Sequence, residues 1–351
     1  MPSHHFLERP SLALRLALAA ALTGALVAGG SSALQHEERQ LTFRAIRGAA
    51  SWFSGLPDGV REFDLPVSSG AAAQHIHAWW WPAPDPQAPV LLYLHGARSN
   101  LTGQVYRIEQ LRSFGFSVFA IDYRGFGRSD GDLPSEQTVY EDARAAWDWL
   151  VKQQPDPAKR FIYGHSLGGA VAVDLAAALS ADAVGATRNG AGTVSIGQFI
   201  RTAVGQRAPA GGLIIESTFT TLVDIAQEWS FPWLPVGLLM SQKFDSMSKM
   251  GKVALPVLVV HGAADRDVPY RFGQALYEAA TGPKKLLLVE DGGHDDSMAA
   301  GADQYRQALV ELFGLGAKGK ATRRPLPQRP TAKSDNGRFS SAGRRDTIAA
   351  M

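Results

Sequence analysis

From Pro89 onward the chain alternates short, mainly apolar runs with longer helical ones, and this alternation limits the fold more than any single motif does. The apolar runs 90–94, 116–121, 161–163, 213–215, 257–260 and 286–289 have strand length and no polar face. Between them, 101–113, 136–153, 167–179, 271–280 and 296–313 carry helical spacing. Strands that are apolar on both faces need cover on both faces, and helices used as crossovers supply it, which makes the sheet parallel. Two earlier runs, 61–67 and 75–81, joined by the turn residues Ser68, Ser69 and Gly70, read as a hairpin and bring the count to about eight. The expectation is one α/β domain over 60–316, built on a mostly parallel, doubly wound sheet of eight strands. A hydrophobic content of 45% is enough for such a core.

The remaining stretches break the alternation. Residues 184–210, polar and Gly-rich, are expected to form an inserted surface loop, and 225–250, with Trp229, Phe231 and Trp233, a small cap over the strand ends. Those aromatics either pack into the core or line a pocket for an acyl group. Residues 317–351 hold nine basic residues against two acidic ones and have no apolar period, as in a disordered basic tail. Such a tail is more often merely solvated than bound to anionic lipid or nucleic acid.

At the other end, the run 16–28 is apolar, follows Arg9 and Arg15, and closes on small residues through Ala33. That pattern fits a secretory signal over 1–33, cleaved after Ala33, or an uncleaved membrane anchor, with 34–59 as a linker. Export follows from either, with the protein membrane-anchored, or periplasmic or secreted if the segment is cut. The chain has no cysteine, so neither a disulfide framework nor a lipid attachment site is available.

The chemistry is expected at the carboxyl ends of the strands. Tyr163-Gly164-His165-Ser166-Leu167-Gly168 lies where strand passes to helix, a sharp turn that needs small residues two before and two after the serine. The hydroxyl of Ser166 would stand clear of the sheet, and the amide of Leu167, opening a helix, would face a developing oxyanion. Strand 90–94 ends in His95-Gly96-Ala97, where Gly96 lets the chain fold back so that the Ala97 amide becomes a second donor, with His95 structural. Strand 257–260 leads to Asp265, with Asp267 as the alternative acid. Strand 286–289 leads to a Gly-rich turn carrying His294. A serine hydroxyl attacks well only when a base takes its proton, and a carboxylate behind that base fixes its tautomer. Ser166, Asp265 and His294 also occur in the chain order this kind of sheet uses. His75 and His77 share a strand face, but no further ligands follow at a spacing that would hold a metal.

Taken with Asp122-Tyr123-Arg124-Gly125-Phe126-Gly127, Glu216-Ser217-Thr218-Phe219-Thr220, Phe244-Asp245-Ser246 and Gly293-His294-Asp295, the block 95–294 resembles the alpha/beta-hydrolase superfamily. It is similar in particular to the membrane-tethered branch close to serine aminopeptidases, prolyl-oligopeptidase-like proteins and depalmitoylases. The resemblance implies a cofactor-independent serine hydrolase of esters or thioesters, with lipid-like substrates if the N-terminus stays in the membrane. It also admits a peptidase, and a hydrolase-fold protein that binds a partner without catalysis is the rival from outside enzymes. The roles it implies for Ser166, Asp265, His294, Ala97 and Leu167 match those read from the residues. The segment 184–210 and the basic tail depart from the branch, and neither touches the three catalytic candidates.

Overall fold

The computed structural model describes Gly30 and residues 32–69, 72–189, 209–229 and 236–315. Among these, eight strands form one sheet in the order β1-β2-β4-β3-β5-β6-β7-β8. They are β1 (Arg61–Ser69), β2 (Ala72–Trp81), β3 (Val90–Leu94), β4 (Ser117–Ile121), β5 (Arg160–His165), β6 (Gly212–Glu216), β7 (Val257–Gly262) and β8 (Lys284–Val289). β1 and β2 pair antiparallel, β2 pairs antiparallel with β4, and every other neighbour is parallel.

Ten helices accompany the sheet among the described residues: α1 (32–43), α2 (Val105–Ser113), α3 (Glu136–Gln153), α4 (Leu167–Asn189), α5 (Leu222–Trp229), α6 (Val236–Leu239), α7 (Met247–Met250), α8 (Tyr270–Ala279), α9 (Ser297–Ala300) and α10 (Ala302–Phe313). β3 shows why its sequence is apolar throughout. Val90, Leu92 and Leu94 join the core under α3, α4 and α8. Leu91 and Tyr93 join a second core on the opposite face, with α2 and α10. α3 begins with a reciprocal cap, in which the Ser135 hydroxyl accepts from the Thr138 amide and the Thr138 hydroxyl accepts from the Ser135 amide.

Three stretches differ from what their sequence led us to expect. The helix after Ser166 does not give way to a loop at Val184; it runs on to Asn189. Three of residues 181–186 are alanine, the best helix former, and Asp182 pairs with Arg144 of α3 at 2.6 Å, tying the extension to its neighbour. Residues 190–208 of the expected insertion lie outside the described residues. The last helical stretch is two helices, broken at Gly301, where a Cβ would come within 2.7 Å of Val289. The stretch expected as a linker carries most of α1, whose Phe43 is fully buried between Phe126 and Phe244. Glu38 of α1 accepts from the amides of Ser241 and Gln242, and Arg39 donates to the Pro134 carbonyl.

The apolar run 16–28 and the basic tail 317–351 lie outside the described residues. Among the described residues no helix is long and apolar enough to cross a membrane.

Candidate active site

β5 delivers Ser166 through a turn that only certain neighbours permit. A Cβ on Gly164 would collide with the carbonyl of Gly168, and one on Gly168 would collide with the carbonyl of Leu94. Ser166 itself has φ 54°, a left-handed conformation that costs a non-glycine residue about 1–3 kcal/mol. Its own backbone bonds hold it there. The Ser166 amide donates to the Glu216 carbonyl at 2.9 Å, and its carbonyl accepts from the Gly169 amide at 2.9 Å and the Thr218 hydroxyl at 2.8 Å.

The ends of β7 and β8 bring two more groups to the same place. His294 Nε2 lies 3.0 Å from Ser166 Oγ, and His294 Nδ1 lies 2.8 Å from Asp265 Oδ2. With Nδ1–H donating to the carboxylate, Nε2 presents its lone pair to the serine hydroxyl. The side chain of Asp265 is fully buried, and its other oxygen accepts from the amides of Asp267 at 2.9 Å and Val268 at 2.8 Å. Burial pushes the Asp265 carboxyl up, but hydrogen bonding from His261 and His294, the imidazole charge and the Val268 amide outweigh it and hold the group well below the usual carboxylate range. Burial pulls His294 down, and the bond and charge of Asp265 more than reverse this, leaving the imidazole above its ordinary value. Of the two acids considered from sequence, Asp265 faces His294, whereas Asp267 contributes its backbone amide to Asp265.

The loop 95–97 passes directly beside the serine, since a Cβ on Gly96 would lie 3.1 Å from Ser166 Cβ. His95 is buried and donates from Nδ1 to the Gly96 carbonyl at 2.7 Å. That carbonyl belongs to the peptide whose N–H is Ala97, so the ring fixes the peptide plane. The amides of Ala97 and Leu167 donate to no protein acceptor among the described residues. Two available N–H groups at a strand end and a helix start, next to an aligned serine, are suited to an oxyanion.

Of the expected substrate contacts, Phe231 and Trp233 lie outside the described residues, and so does the side chain of Trp229, which ends α5. His75 pairs with Asp130, and His77 is buried against Glu62 and Asp122. Among the described residues no group of three His, Asp or Glu is placed to hold a metal. Arg124 is buried against Asp142 at 2.6 Å and Glu141 at 2.7 Å, which ties the 122–131 segment to α3.

Two groups near the site were not apparent in the sequence. His165 donates from Nε2 to the His294 carbonyl at 2.9 Å, and Arg107 of α2 donates from Nη2 to the Asp295 carbonyl at 2.7 Å. An arginine between Val105 and Ile108 on a buried helix face was the available signal for the second.

Residues 85–224 match the serine aminopeptidase family, S33. The chain is 31% identical over 300 residues to an uncharacterized protein of Mycobacterium tuberculosis, a match covering 83% of this chain and 94% of that one. It is 30% identical over 239 residues to the lysophosphatidylserine lipase ABHD12 of Danio rerio, covering 63% of this chain and 55% of the lipase. Among solved structures, the esterase Pf2001 of Pyrococcus furiosus superposes with a TM-score of 0.54 at 17% identity, covering 78% of this chain and 98% of the esterase. An alpha-beta hydrolase of Vibrio vulnificus does so with a TM-score of 0.54 at 21% identity, covering 81% and 94%. At those identities the structural likeness speaks for the fold alone.

Proposed function

Because the chain belongs to the alpha/beta-hydrolase superfamily, we propose that it is a serine hydrolase cleaving carboxylic esters or thioesters through an acyl-enzyme on Ser166. The observation that carries this reading is the unbroken relay from Asp265 through His294 to the serine hydroxyl, at 2.8 and 3.0 Å. As Ser166 Oγ attacks the acyl carbon, its proton passes to His294 Nε2, and Asp265 stabilises the imidazolium. The amides of Leu167 and Ala97 donate hydrogen bonds to the tetrahedral oxyanion and stabilise its charge. Collapse breaks the bond to the leaving oxygen or sulfur, which takes the proton from His294, and the acyl group stays on Ser166. Water then repeats the sequence, giving up a proton to His294, and the carboxylic acid leaves as Ser166 Oγ is reprotonated.

Acyl or lipid-like substrates are favoured by the apolar sequence 225–250 with Trp229, Phe231 and Trp233, and by the likeness to the lysophosphatidylserine lipase. Retention at a membrane through the run 16–28 would bring such substrates to the site. The serine aminopeptidase match supports one other reading, hydrolysis of a peptide bond by the same groups.

The test is labelling of the full chain with a fluorophosphonate, alongside matched acyl esters, acyl thioesters and aminoacyl amides, with Ser166→Ala as control. We expect labelling that vanishes in Ser166→Ala and turnover of esters or thioesters. Wild-type protein that stays unlabelled while folded would overturn the proposal. Faster turnover of amides than of esters would replace it with the peptidase.

A further inference from the structure

Beneath the relay, on the sheet face covered by α2 and α10, lies a second buried polar cluster that the proposed reaction does not use. Its centre is Glu216, the last residue of β6 and fully buried. The carboxylate accepts from Arg107 Nη1 at 2.5 Å, Ser297 Oγ at 2.7 Å, Tyr163 OH at 2.8 Å and Tyr305 OH at 3.4 Å. Burial pushes the hydroxyls of Tyr163 and Tyr305 far up, so both remain donors.

The cluster reaches the loop that carries His294. Arg107 divides its fork: Nη1 goes to Glu216 and Nη2 to the Asp295 carbonyl. One turn further along α2, Gln110 donates to the Met298 carbonyl at 2.7 Å. From the other side His165, adjacent to the serine, donates to the His294 carbonyl. Burial, the charge of Arg107 and that of His294 hold His165 well below its ordinary value, so it meets that carbonyl as a neutral ring with a single N–H. Two successive carbonyls, those of residues 294 and 295, are thereby gripped from β5 and α2, and neither grip involves the imidazole of His294.

We propose that Arg107, braced by Glu216, is a positioning residue for His294, setting the height and direction of the loop from which the base reaches Ser166. This rests on the reading of Ser166 and His294 given above. Desolvation offsets most of what a buried ion pair gains, so stability alone is a weak reason for it. What a guanidinium supplies that an apolar pair cannot is a rigid fork, two N–H bonds at a fixed angle, here joining the sheet interior to the base's own backbone. A displacement of the base by about 1 Å is enough to cost on the order of 100-fold in rate.

The experiment compares the full-length wild type with Arg107→Met/Glu216→Gln. This pair removes both charges together and leaves an amide oxygen for Tyr163 and Ser297. Active sites are counted by the fluorophosphonate burst, and kcat and KM are measured per counted site on one acyl ester. We expect a melting temperature within a few degrees of wild type, KM within about twofold, and kcat per site lower by about 10- to 100-fold, with labelling slowed in proportion. A purely structural role would lower the number of active sites and leave kcat per site alone, and a kcat per site within twofold of wild type would overturn the proposal. Should the double variant fail to fold, Arg107→Lys keeps the charge opposite Glu216 but loses the fork. A drop of about tenfold in kcat per site is then expected, and no drop sinks the idea. If instead the wild type fails to label, or Ser166→Ala still labels, the reading of the site itself is what has failed.

Discussion

Two carboxylates stand at neighbouring strand ends, Glu216 on β6 and Asp265 just beyond β7, and both are fully buried. Their partners differ. Asp265 faces His294, a base that can shed its charge, whereas Glu216 faces Arg107, a cation that cannot, and burial does not prevent the surrounding charges from holding Arg107 well above its already high value. The same acid chemistry is therefore suited to two jobs. Against an imidazole it fits the proton relay proposed above, whose charge state would follow pH. Against a guanidinium and two tyrosines it fits the proposed strut. The position along the strand underlies the difference: Glu216 is still inside the pleat and its side chain enters the α2 face, while Asp265 lies in the turn after β7 and meets the loop after β8.

The comparison breaks most visibly in the rate. His294→Ala, with Ser166→Ala as its equal, should lower kcat/KM by at least about 10⁴-fold, and Asp265→Asn by about 10³- to 10⁴-fold, measured on an activated ester. With His294 as the proposed base, activity should rise as it loses its proton. Because Asp265 holds His294 above its ordinary value of 6.5, the rising limb of the wild-type kcat/KM profile lies above that pH, and in Asp265→Asn it moves to lower pH. An unmoved limb would mean that Asp265 does not govern the base.

Stability is the next test and should rank the two acids the other way. Glu216→Gln leaves Arg107 buried without its counter-ion and should cost about 3–5 kcal/mol in denaturant unfolding. Asp265→Asn should cost about 1–3 kcal/mol, since the facing imidazole can become neutral. Equal costs would remove the distinction between relay and strut. Asp265 has a depressed folded value, so its contribution to stability is present above the unfolded carboxylate value of about 3.9 and is lost as pH falls toward the folded one. The acid side of the wild-type stability curve should therefore be steeper than that of Asp265→Asn.

The smallest effect is expected where both partners are exposed. Arg144 and Asp182 join α3 to the end of α4 with side chains 42% and 60% exposed, so Arg144→Ala should change global stability by less than about 1 kcal/mol. Hydrogen exchange should nonetheless speed up in α4 beyond Leu179, and unchanged exchange there would show that the helix end needs no tie.

Much of the sheet was legible because strands covered on both faces must be apolar at every position, as 90–94 and 257–260 are, and such runs have few other uses. The hairpin was legible as two strand-like runs, although Ser68 and Ser69, expected in the turn, pair with Ala73 and Ala72 at the end of β1, and the helix 136–153 was legible from its period. What failed to show was set by neighbours. Nothing local says that the helix after Ser166 should pass Leu179, because its extension leans on Arg144, which is 38 residues from Asp182 in the chain. The break at Gly301 likewise depends on the approach of Val289.

At the site, local sequence determined part of the elbow: Gly164 is required because a Cβ there would meet the carbonyl of Gly168, four residues on, whereas Gly168 is required by the approach of the distant Leu94 carbonyl. The order Ser166, Asp265, His294 and their places at strand ends were likewise available from sequence. The sequence favoured Asp265 and kept Asp267 as the alternative, and only tertiary structure shows which of them an imidazole faces, since the loop after β8 brings His294 to Asp265. Only tertiary structure joined Arg107 to Glu216 and Asp295, residues 109 and 188 positions away. A close approach within a turn is written in neighbouring residues, whereas a hydrogen bond between distant strand ends exists only after the sheet has formed and brought its donors into range.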